Sequence, residues 1–399
     1  MTAPPASPGG DVPVVPSSWR AFLLYFLKLG TFGFGGPIAL AGYMQRDLVE
    51  RRRWIAKRDY VQGLALAQLA PGPLAAQLAM YLGWVKAGVR GATLVSAAFI
   101  LPSLLMVLAL SAAYVRFGGL PWMQSVFYGV GAAVIAIIGR SAVKLIKLTL
   151  ARDRLLWAVF AVSAVATAWT ESEVAWLFLA SGVLVLLARA PPRRPPPVAV
   201  ALVGLAGLAA LLAEVAPAAA ATAPSWPLLV RVATYFAEAG AFVFGSGLAI
   251  VPFLHGGVVN QFHWLTERQF LDAVAVAMIT PGPVVITVAF IGYLVARLPG
   301  ALAASVGVFL PCYLFVILPA PYFRRFADNA RVKAFVDGVT AAATGAIAGA
   351  AFVLGRRALI DLPAVAIAVA TWALFNRFKK LPEPLVIVAA GLIGLAVRR

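Results

Sequence analysis

Residues 69–73 read Leu-Ala-Pro-Gly-Pro and residues 279–283 read Ile-Thr-Pro-Gly-Pro, in both cases inside a long apolar segment. Around these triplets, residues 26–73 and 236–283 align without a gap at an offset of 210, with 14 of 48 positions identical. After a one-residue deletion the similarity continues, so that the duplicated unit is about 130 residues long. Paired helix breakers at equivalent points of two hydrophobic halves are typical of binding sites in secondary transporters.

Composition excludes a soluble globule. The 399-residue chain is 62% hydrophobic and 12% charged, whereas soluble domains are about a quarter charged. The sequence predicts an all-α polytopic membrane protein with about 13 hydrophobic segments, most of them long enough to cross about 30 Å of hydrocarbon. The segments are 19–45, 59–84, 91–115, 122–143, 154–170, 174–189, 198–222, 228–254, 269–295, 300–323, 333–355, 359–375 and 384–397.

The net charge of +18 has a simple interpretation in a membrane protein. Basic residues collect in cytoplasmic loops and lie against anionic membrane lipid, and no basic domain stands outside the apolar segments, so no nucleic-acid partner is expected. Cys312 is the single cysteine and permits no intrachain disulfide. His255 and His263 are expected in a solvated outer loop and are too sparse for a metal site. Neither a metal nor a cofactor is predicted.

The duplication divides the chain into five regions. Residues 1–18 are rich in Pro, Ser and Gly and are expected to form a disordered tail. Residues 19–150 form the first transporter repeat and residues 227–358 the second. Residues 151–226 are connecting transmembrane helices with a loop rich in Pro and Arg, and residues 359–399 are C-terminal transmembrane helices.

The two repeats are predicted to have inverted topology. Three apolar segments separate them, and if each repeat makes an even number of crossings, three intervening crossings leave the second copy upside down relative to the first. Loop charge agrees, since residues 46–58 contain six Lys or Arg residues and the counterpart 256–268 contains only Arg268. Each repeat is basic where the other is not. Because basic residues favour the cytoplasmic side, this difference is expected if equivalent loops lie on opposite sides of the membrane.

Loop charge also predicts how each repeat is threaded. If all thirteen segments crossed simply, the basic stretches 46–58 and 140–154 would fall on opposite sides of the membrane. The conflict disappears if four Gly- and Pro-broken segments enter and leave on one face as re-entrant hairpins and the other nine span. The four are 19–45, 59–84, 228–254 and 269–295. This threading places the N-terminus in the cytoplasm and the protein in the cell (inner) membrane.

The breaks are the candidate substrate site. Proline ends one half-helix and suits the first turn of the next, and a new helix start presents free N–H groups that favour an anion. Glycine lets the backbone approach a ligand closely. An alternative is that these residues only permit close helix packing. The predicted contacts are Gly33, Gly35, Gly36, Pro37, Pro71, Gly72, Pro73, Gly245, Ser246, Gly247, Pro281, Gly282 and Pro283.

Two charges inside apolar segments occupy equivalent positions of the two copies, Lys28 and Glu238. Ionisable residues in membrane segments are functional candidates by default. We expect Lys28 to attract the anion and Glu238 to take up and release a proton, which would couple transport to the proton gradient. Alternatively, both side chains extend to an interface from near a segment end.

Polar residues near the triplets form a third group. Four could hydrogen-bond substrate oxygens or, alternatively, neighbouring helices: Gln68, Gln77, Thr280 and Thr287. Four others lie at segment starts and are interpreted as helix caps: Asp59, Gln62, Gln269 and Asp272.

The motif at residues 32–37, Phe-Gly-Phe-Gly-Gly-Pro, the later Ala-Pro-Gly-Pro at 70–73 and their second copies resemble the chromate ion transporter family in its long-chain, two-domain form. The resemblance covers about 19–150 and 227–358. The second copy departs from the pattern, because residues 244–248 read Phe-Gly-Ser-Gly-Leu without the Gly-Gly-Pro ending. Equal roles for the two halves are therefore not implied.

The resemblance implies export of chromate across a bacterial cytoplasmic membrane, driven by the proton motive force and conferring chromate resistance. Sulfate, a tetrahedral dianion of nearly the same size, is the implied competitor. The residues alone predict a secondary transporter of an anion and no enzyme, since no nucleophile constellation for a lipid-phosphate enzyme is present. Two alternatives stay open: an uptake or exchange carrier for sulfate or another oxyanion, and a passive anion channel.

Overall fold

The computed structural model describes residues 14–34, 36–117, 121–150, 153–170, 175–190, 225–242, 250–323, 329–359, 361–378, 381 and 383–397. All regular secondary structure in these ranges is helical. The α-helices are α1 Trp19–Phe32, α2 Gly36–Met44, α3 Lys57–Leu69, α4 Leu74–Phe117, α5 Pro121–Thr149, α6 Arg154–Thr170, α7 Ala175–Arg189, α8 Trp226–Phe242, α9 Ile250–His255, α10 Glu267–Ile279, α11 Thr287–Ile317, α12 Ala330–Ala358, α13 Leu362–Arg377 and α14 Glu383–Val397.

Four described helices are long and apolar enough to cross a membrane: Leu74–Phe117, Trp122–Lys147, Val284–Ile317 and Ala330–Ala358. Four shorter apolar helices accompany them: Arg154–Thr170, Leu177–Arg189, Leu362–Arg377 and Glu383–Val397. The all-α prediction agrees with this architecture. The number of thirteen segments stays a prediction, and the segment 198–222 lies outside the described residues.

Helix α4 folds back on itself about a third of the way along. The backbone leaves helical geometry at Ala87 (φ −156°, ψ 41°) and Gly88 (φ 59°, ψ −146°). The two arms touch where a Cβ on Gly83 would lie 2.5 Å from the carbonyl oxygen of Gly91. Because only glycine lets two helix backbones approach this closely, these glycines hold the hairpin together.

Helix α11 makes the same fold at the equivalent position of the second half. Its backbone departs from the helix at Ala296 (φ −145°, ψ 32°) and Arg297 (φ 54°, ψ −146°). A Cβ on Gly292 would lie 2.3 Å from the carbonyl oxygen of Gly300. Two stretches about 209 residues apart thus adopt one local geometry.

The Pro-Gly-Pro turn after α3 reverses the chain. The helix α3 and the first arm of α4 lie side by side, because a Cβ on Gly63 would lie 2.4 Å from the ring of Tyr81. If the chain ran straight through the break, these residues would be more than about 20 Å apart at 1.5 Å per helical residue. The segment 57–86 is therefore a helical hairpin with both ends on one side.

Residues 14–18 tie the two ends of this hairpin together. The amide of Val15 donates to the carbonyl of Arg53 at 2.8 Å, and Nζ of Lys86 donates to the carbonyl of Ser17 at 2.9 Å. The expectation of a disordered tail is therefore wrong for residues 14–18, because these backbone groups have partners on the loop before α3 and at the end of the hairpin. Residues 1–13 lie outside the described chain.

The long arms of α4 and α11 pack against each other in opposite directions. Thr93, near the beginning of the second arm of α4, contacts Tyr313 near the end of α11, with the two hydroxyl oxygens 2.6 Å apart. Tyr114, near the end of α4, packs against Phe290, with ring centroids 5.1 Å apart. Phe290 lies in the first arm of α11, shortly before the turn at 296–297. The end of α4 therefore lies near the turn at which the second arm of α11 begins.

Candidate functional site at the helix breaks

A small cleft lies where the helix breaks of both halves meet. It is lined by Pro37, Leu40, Pro73, Ala75, Gly282, Pro283 and Val284. Residues beside the first Gly-rich break and in both Pro-Gly-Pro triplets thus line one cleft. The cleft walls are apolar, and its polar groups come from the backbone.

Three helical segments begin at this cleft. Helix α2 begins at Gly36, α4 begins at Leu74 after Pro73, and a 3₁₀ turn begins at Val284 after Pro283. The first N–H groups of a helix have no partner within it, and they carry the positive end of the helix dipole. Three helix starts, with their N–H groups and the positive ends of their dipoles, therefore surround an apolar cleft.

The second triplet is hydrogen-bonded to the first half. The amide of Gly282 donates to the carbonyl of Gly33 at 3.0 Å. The buried Ser103 hydroxyl on α4 lies 2.8 Å from the carbonyl of Pro281 and 3.2 Å from that of Gly30. These bonds connect the second triplet to α4 and to the break after α1, so the position of one break depends on the other.

Cys312 occupies the corresponding place in the other half, at an offset of 209 from Ser103. Its sulfur lies 3.0 Å from the carbonyl of Val308 and 3.6 Å from that of Gly240. A Cβ on Gly72 would lie 3.1 Å from this sulfur. Each Pro-Gly-Pro turn therefore contacts the long helix of the opposite half. Local sequence does not indicate this role of Ser103 and Cys312, although each follows one of the two matched prolines, 102 and 311.

Gln77 lies directly over the first triplet. The side chain is fully buried, and its Nε2 donates to the carbonyl of Pro71 at 2.5 Å. Its Oε1 has no hydrogen-bond partner among the described residues. A buried unpaired amide oxygen is costly, so the Gln77 side chain is incompletely hydrogen-bonded beside the first triplet in the described structure.

The other flanking residues have local partners or lie at the surface. The Thr280 hydroxyl donates within its own helix to the carbonyl of Val276 or Ala277, and the Thr287 hydroxyl donates to the carbonyl of Val284 at 2.8 Å. Gln68 is exposed near the end of α3. For both threonines the geometry matches a role in closing the helix ends beside the triplet.

The two charged candidates do not line the cleft. Lys28 is exposed on α1, on the side opposite the buried Phe22, Phe26 and Leu29. Glu238 is half-buried on α8. Of the predicted contacts, Gly35 and all of Gly245, Ser246 and Gly247 lie outside the described residues.

His255 at the end of α9, Glu267 at the start of α10 and Arg357 on α12 form an ionic cluster that no sequence pattern indicates. His255 is 3% exposed, so its expected place on a solvated surface is wrong. Its Nε2 lies 2.9 Å from the carboxylate of Glu267, which also accepts from Arg357 at 3.1 Å. Burial alone would raise the pKa of Glu267, but the hydrogen bonds from His255 and Arg357 outweigh burial and hold the pKa below its ordinary value of 4.5. His263 is exposed, as expected.

The interpretation of segment-start residues as caps is correct at one position and wrong at another. The N-cap of α10 is Thr266, and Gln269 completes a capping box with it. Asp272 lies one turn farther into the helix and is 4% exposed. Its carboxylate accepts from Tyr114 at 2.7 Å. Burial by a helix from the other half, invisible in local sequence, explains the difference.

Comparison with known proteins identifies the family. A family model described as chromate transporter matches residues 20–208 and 230–395. The chain belongs to the chromate transporter family. Proteins of this family are transporters rather than enzymes, and the apolar helices agree with an integral membrane protein. Each matched stretch begins in a helix, α1 or α8.

Similar proteins come from distant bacteria. A chromate transport protein of Cupriavidus metallidurans is 60% identical over 393 residues, covering 98% of this chain and 96% of the relative. A probable chromate transport protein of Synechococcus elongatus is 56% identical over 381 residues, covering 95% of each. A chromate transport protein of Pseudomonas aeruginosa is 33% identical over 394 residues, covering 96% of this chain and 93% of the relative. No solved structure matches the chain.

Among the described residues, no group of three or more His, Cys, Asp or Glu side chains could hold a metal ion. The side chains that line the cleft are apolar, so its hydrogen-bonding groups belong to the backbone.

Proposed function

We propose that this protein is a secondary transporter that carries chromate across the cell membrane. The observation that carries the proposal is the cleft at which three helix starts from both halves converge. Chromate is a tetrahedral dianion, and its oxygens accept the hydrogen bonds that free N–H groups donate. The family membership and the printed names of the relatives support chromate as the substrate.

The two repeats have inverted topology in this proposal. Support comes from the antiparallel packing of the equivalent helices α4 and α11, whose contacts pair Thr93 with Tyr313 and Tyr114 with Phe290. Matching turns at 87–88 and 296–297 support a common origin of their backbones. Rocking of one repeat against the other would then open the cleft to alternate sides of the membrane.

The hairpin 57–86 enters the membrane from the cytoplasmic side and leaves on that side. Its counterpart in the second repeat enters from the outside and leaves on the outside. The contacts of residues 15–17 with Arg53 and Lys86 support this threading, because they hold both ends of the hairpin together. The N-terminus is then cytoplasmic. The basic stretch 46–58 lies against anionic lipid on that side.

Substrate contacts are proposed at the breaks, with unequal contributions from the halves. Backbone groups at Gly33, Gly36, Pro37 and the two triplets form the walls, and Gln77 reorients its amide to donate to a chromate oxygen. Gly35, Gly245, Ser246 and Gly247 complete the site in this proposal, and Gln68, Thr280 and Thr287 close its rim. Lys28 raises the local concentration of the anion, since exposed cations steer anions toward a site.

Transport is proposed to be export driven by the proton motive force, with Glu238 as a proton-binding group. Glu238 lies half-buried on a helix of the second repeat, and carboxylates in membrane segments are typical of proton pathways. Export would confer chromate resistance on the cell. A sulfate or oxyanion uptake carrier and a passive anion channel are the alternatives.

Everted membrane vesicles test both substrate and direction. We expect labelled chromate to accumulate in everted vesicles when a proton gradient is imposed, and sulfate to compete. Accumulation only in right-side-out vesicles would identify an uptake carrier instead. Equilibration without accumulation, in both orientations, would identify a channel.

Substitutions at the breaks test the site. Pro71→Ala and Pro281→Ala each remove a helix stop beside the cleft, and we expect each to abolish transport while the protein still reaches the membrane. Gly42→Ala is the matched control, because a Cβ there would meet nothing within 4 Å. Wild-type rates in both proline variants would show that the breaks serve packing alone.

A further inference from the structure

Asp272 is a buried carboxylate at the contact between the two repeats. It is 4% exposed on the second turn of α10, and the Tyr114 hydroxyl donates to its Oδ2 at 2.7 Å. Tyr114 belongs to α4 of the first repeat, whereas Asp272 belongs to the second. The hydrogen bond therefore joins the two repeats, and relative movement of the repeats acts on it directly.

The surroundings of this pair are aromatic. The Tyr114 ring packs edge to face against Phe290 of α11 and Phe127 of α5, with centroids 5.1 and 5.5 Å away. A carboxylate has about four acceptor positions, and Tyr114 is the one described donor to Asp272. No described Lys, Arg or His side chain forms an ion pair with it. Tyr114 is thus the one described hydrogen-bond donor to this buried carboxylate.

Arg268 is the cation that faces Asp272, one turn earlier in α10, and it is exposed. Its guanidinium donates to the carbonyl of Gln124 at the beginning of α5, at 3.1 Å. Other ionisable groups on the neighbouring elements have contacts elsewhere: Arg116 with Phe117, Tyr128 with Asp361, Arg140 with Phe375, His255 with Glu267 and Arg297 with Tyr293. Glu383 begins α14.

The first repeat has no equivalent acid. The position that corresponds to Asp272 at the offset of 210 is Gln62, which does not titrate. The position that corresponds to Tyr114 at the offset of 209 is Phe323, which has no hydroxyl. The acid and its donor therefore occur together at only one of the two related places.

We propose that the Asp272–Tyr114 pair is a second proton-binding site of the transporter and links proton uptake to movement between the repeats. When Tyr114 moves away, the carboxylate is left buried without a donor and binds a proton from water at the face where Arg268 lies, because an unpaired buried charge is costly. When the hydroxyl returns, the ionised form is favoured again and the proton leaves to water. Tyr114 keeps its own proton throughout. The proposal rests on the transport function proposed above.

Infrared difference spectroscopy of the purified full-length protein tests the pair without any substrate. Acidification protonates several carboxyls, so the spectra of variants are compared, and we expect one protonated-carboxyl component of the wild type to be lost in Asp272→Asn. In Tyr114→Phe this component should persist to a higher pH, since the ionised form loses its donor. Glu50→Gln is the control, because Glu50 is an exposed carboxylate on the helical turn 45–51, bonded to Gln45, and this variant should keep the component. Spectra of Asp272→Asn that match the wild type, or a Tyr114→Phe titration identical to wild type, overturn the proposal.

Transport assays in proteoliposomes then test the link to movement. We expect Asp272→Asn to lose accumulation of labelled chromate driven by a pH gradient while chromate exchange continues, because a neutral amide mimics the protonated acid permanently. Full accumulation in this variant overturns the coupling role. If the wild type itself does not transport chromate but shows the Tyr114-dependent band, the proposed function fails and the proton site stands.

Discussion

The turn at Pro71-Gly72-Pro73 and the turn at Pro281-Gly282-Pro283 share a backbone and differ in what touches them. The residues before them, Ala70 and Thr280, have nearly the same dihedral angles, φ −83°, ψ 140° and φ −87°, ψ 138°. The second turn accepts from Ser103 and donates to Gly33. The first is covered by Gln77 and by the sulfur of Cys312. Helix breakers determined the backbone in both halves, and the side chains around it diverged.

The two loops that precede these hairpins show the same division. Arg52 stacks over Trp54, with its guanidinium carbon 4.6 Å from the ring centroid. At the equivalent place Phe262 stacks on Trp264, with centroids 4.5 Å apart. The first loop thus has a cation on its tryptophan, and the second loop has an aromatic ring at the same place. The contact with the tryptophan is kept, but the positive charge is absent from the second loop.

Substituting the glycine of each turn gives the largest expected difference between the halves. Both glycines have positive φ, 136° at Gly72 and 101° at Gly282. A Cβ on Gly282 would lie 1.9 Å from Oγ of Ser103, whereas a Cβ on Gly72 would meet the flexible end of Gln77 at 2.4 Å. We expect Gly282→Ala to lower the free energy of unfolding by about 3 kcal/mol and Gly72→Ala by about 1–2 kcal/mol.

Thermal unfolding in detergent, with Gly42→Ala as reference, measures these losses. The double variant Gly282→Ala/Ser103→Ala should recover part of the stability, because it removes the nearest atom. Equal losses in the two single variants would mean that the neighbours of the turns do not differ in rigidity.

Exchanging the residues at the two hairpin turns, Gly88 and Arg297, should change the stability of the protein by a smaller amount, with opposite signs in the two halves. Gly88 and Arg297 share one backbone conformation, with φ 59° and 54° and ψ −146° in both. Residues other than glycine are strained there by about 1 kcal/mol or more. We expect Arg297→Gly to stabilise the protein and Gly88→Arg to destabilise it, each by about 1 kcal/mol. A lower melting temperature in Arg297→Gly would contradict the strain, and would show that the contact of Arg297 with the Tyr293 ring outweighs it.

The smallest expected difference between the two halves is in how their stability responds to acid. The pKa of Glu267 is below 4.5 in the folded protein because of His255 and Arg357, so its ionised form contributes stability above pH about 4.5 that is lost as the pH falls. We expect a contribution below about 1 kcal/mol. Glu267→Gln should weaken the fall in melting temperature on acidification from pH 6, while Lys57→Gln at the equivalent place of the first half should leave it unchanged. Identical acid profiles in Glu267→Gln and wild type would remove Glu267 as its source.

Much of the local backbone was predictable from sequence. The breaks at 71–73 and 281–283 follow from the loss of a backbone donor at proline and from the freedom of glycine. The capping residue Gln269 follows from the Thr-x-x-Gln pattern. The place of Asp272 did not follow, because its burial depends on Tyr114, which is 158 residues away in the chain.

The sequence by itself determined the class of the protein, the duplication and the positions of the helix breaks. Composition, proline geometry and self-similarity are properties of short stretches and need no partner. Only the tertiary structure decided that Pro37, Pro73 and Gly282 meet at one cleft, that Ser103 and Cys312 each touch the turn of the opposite half, and that Asp272 is bonded to Tyr114 across the repeats. These contacts join residues far apart in the chain, and their formation depends on how the two halves pack.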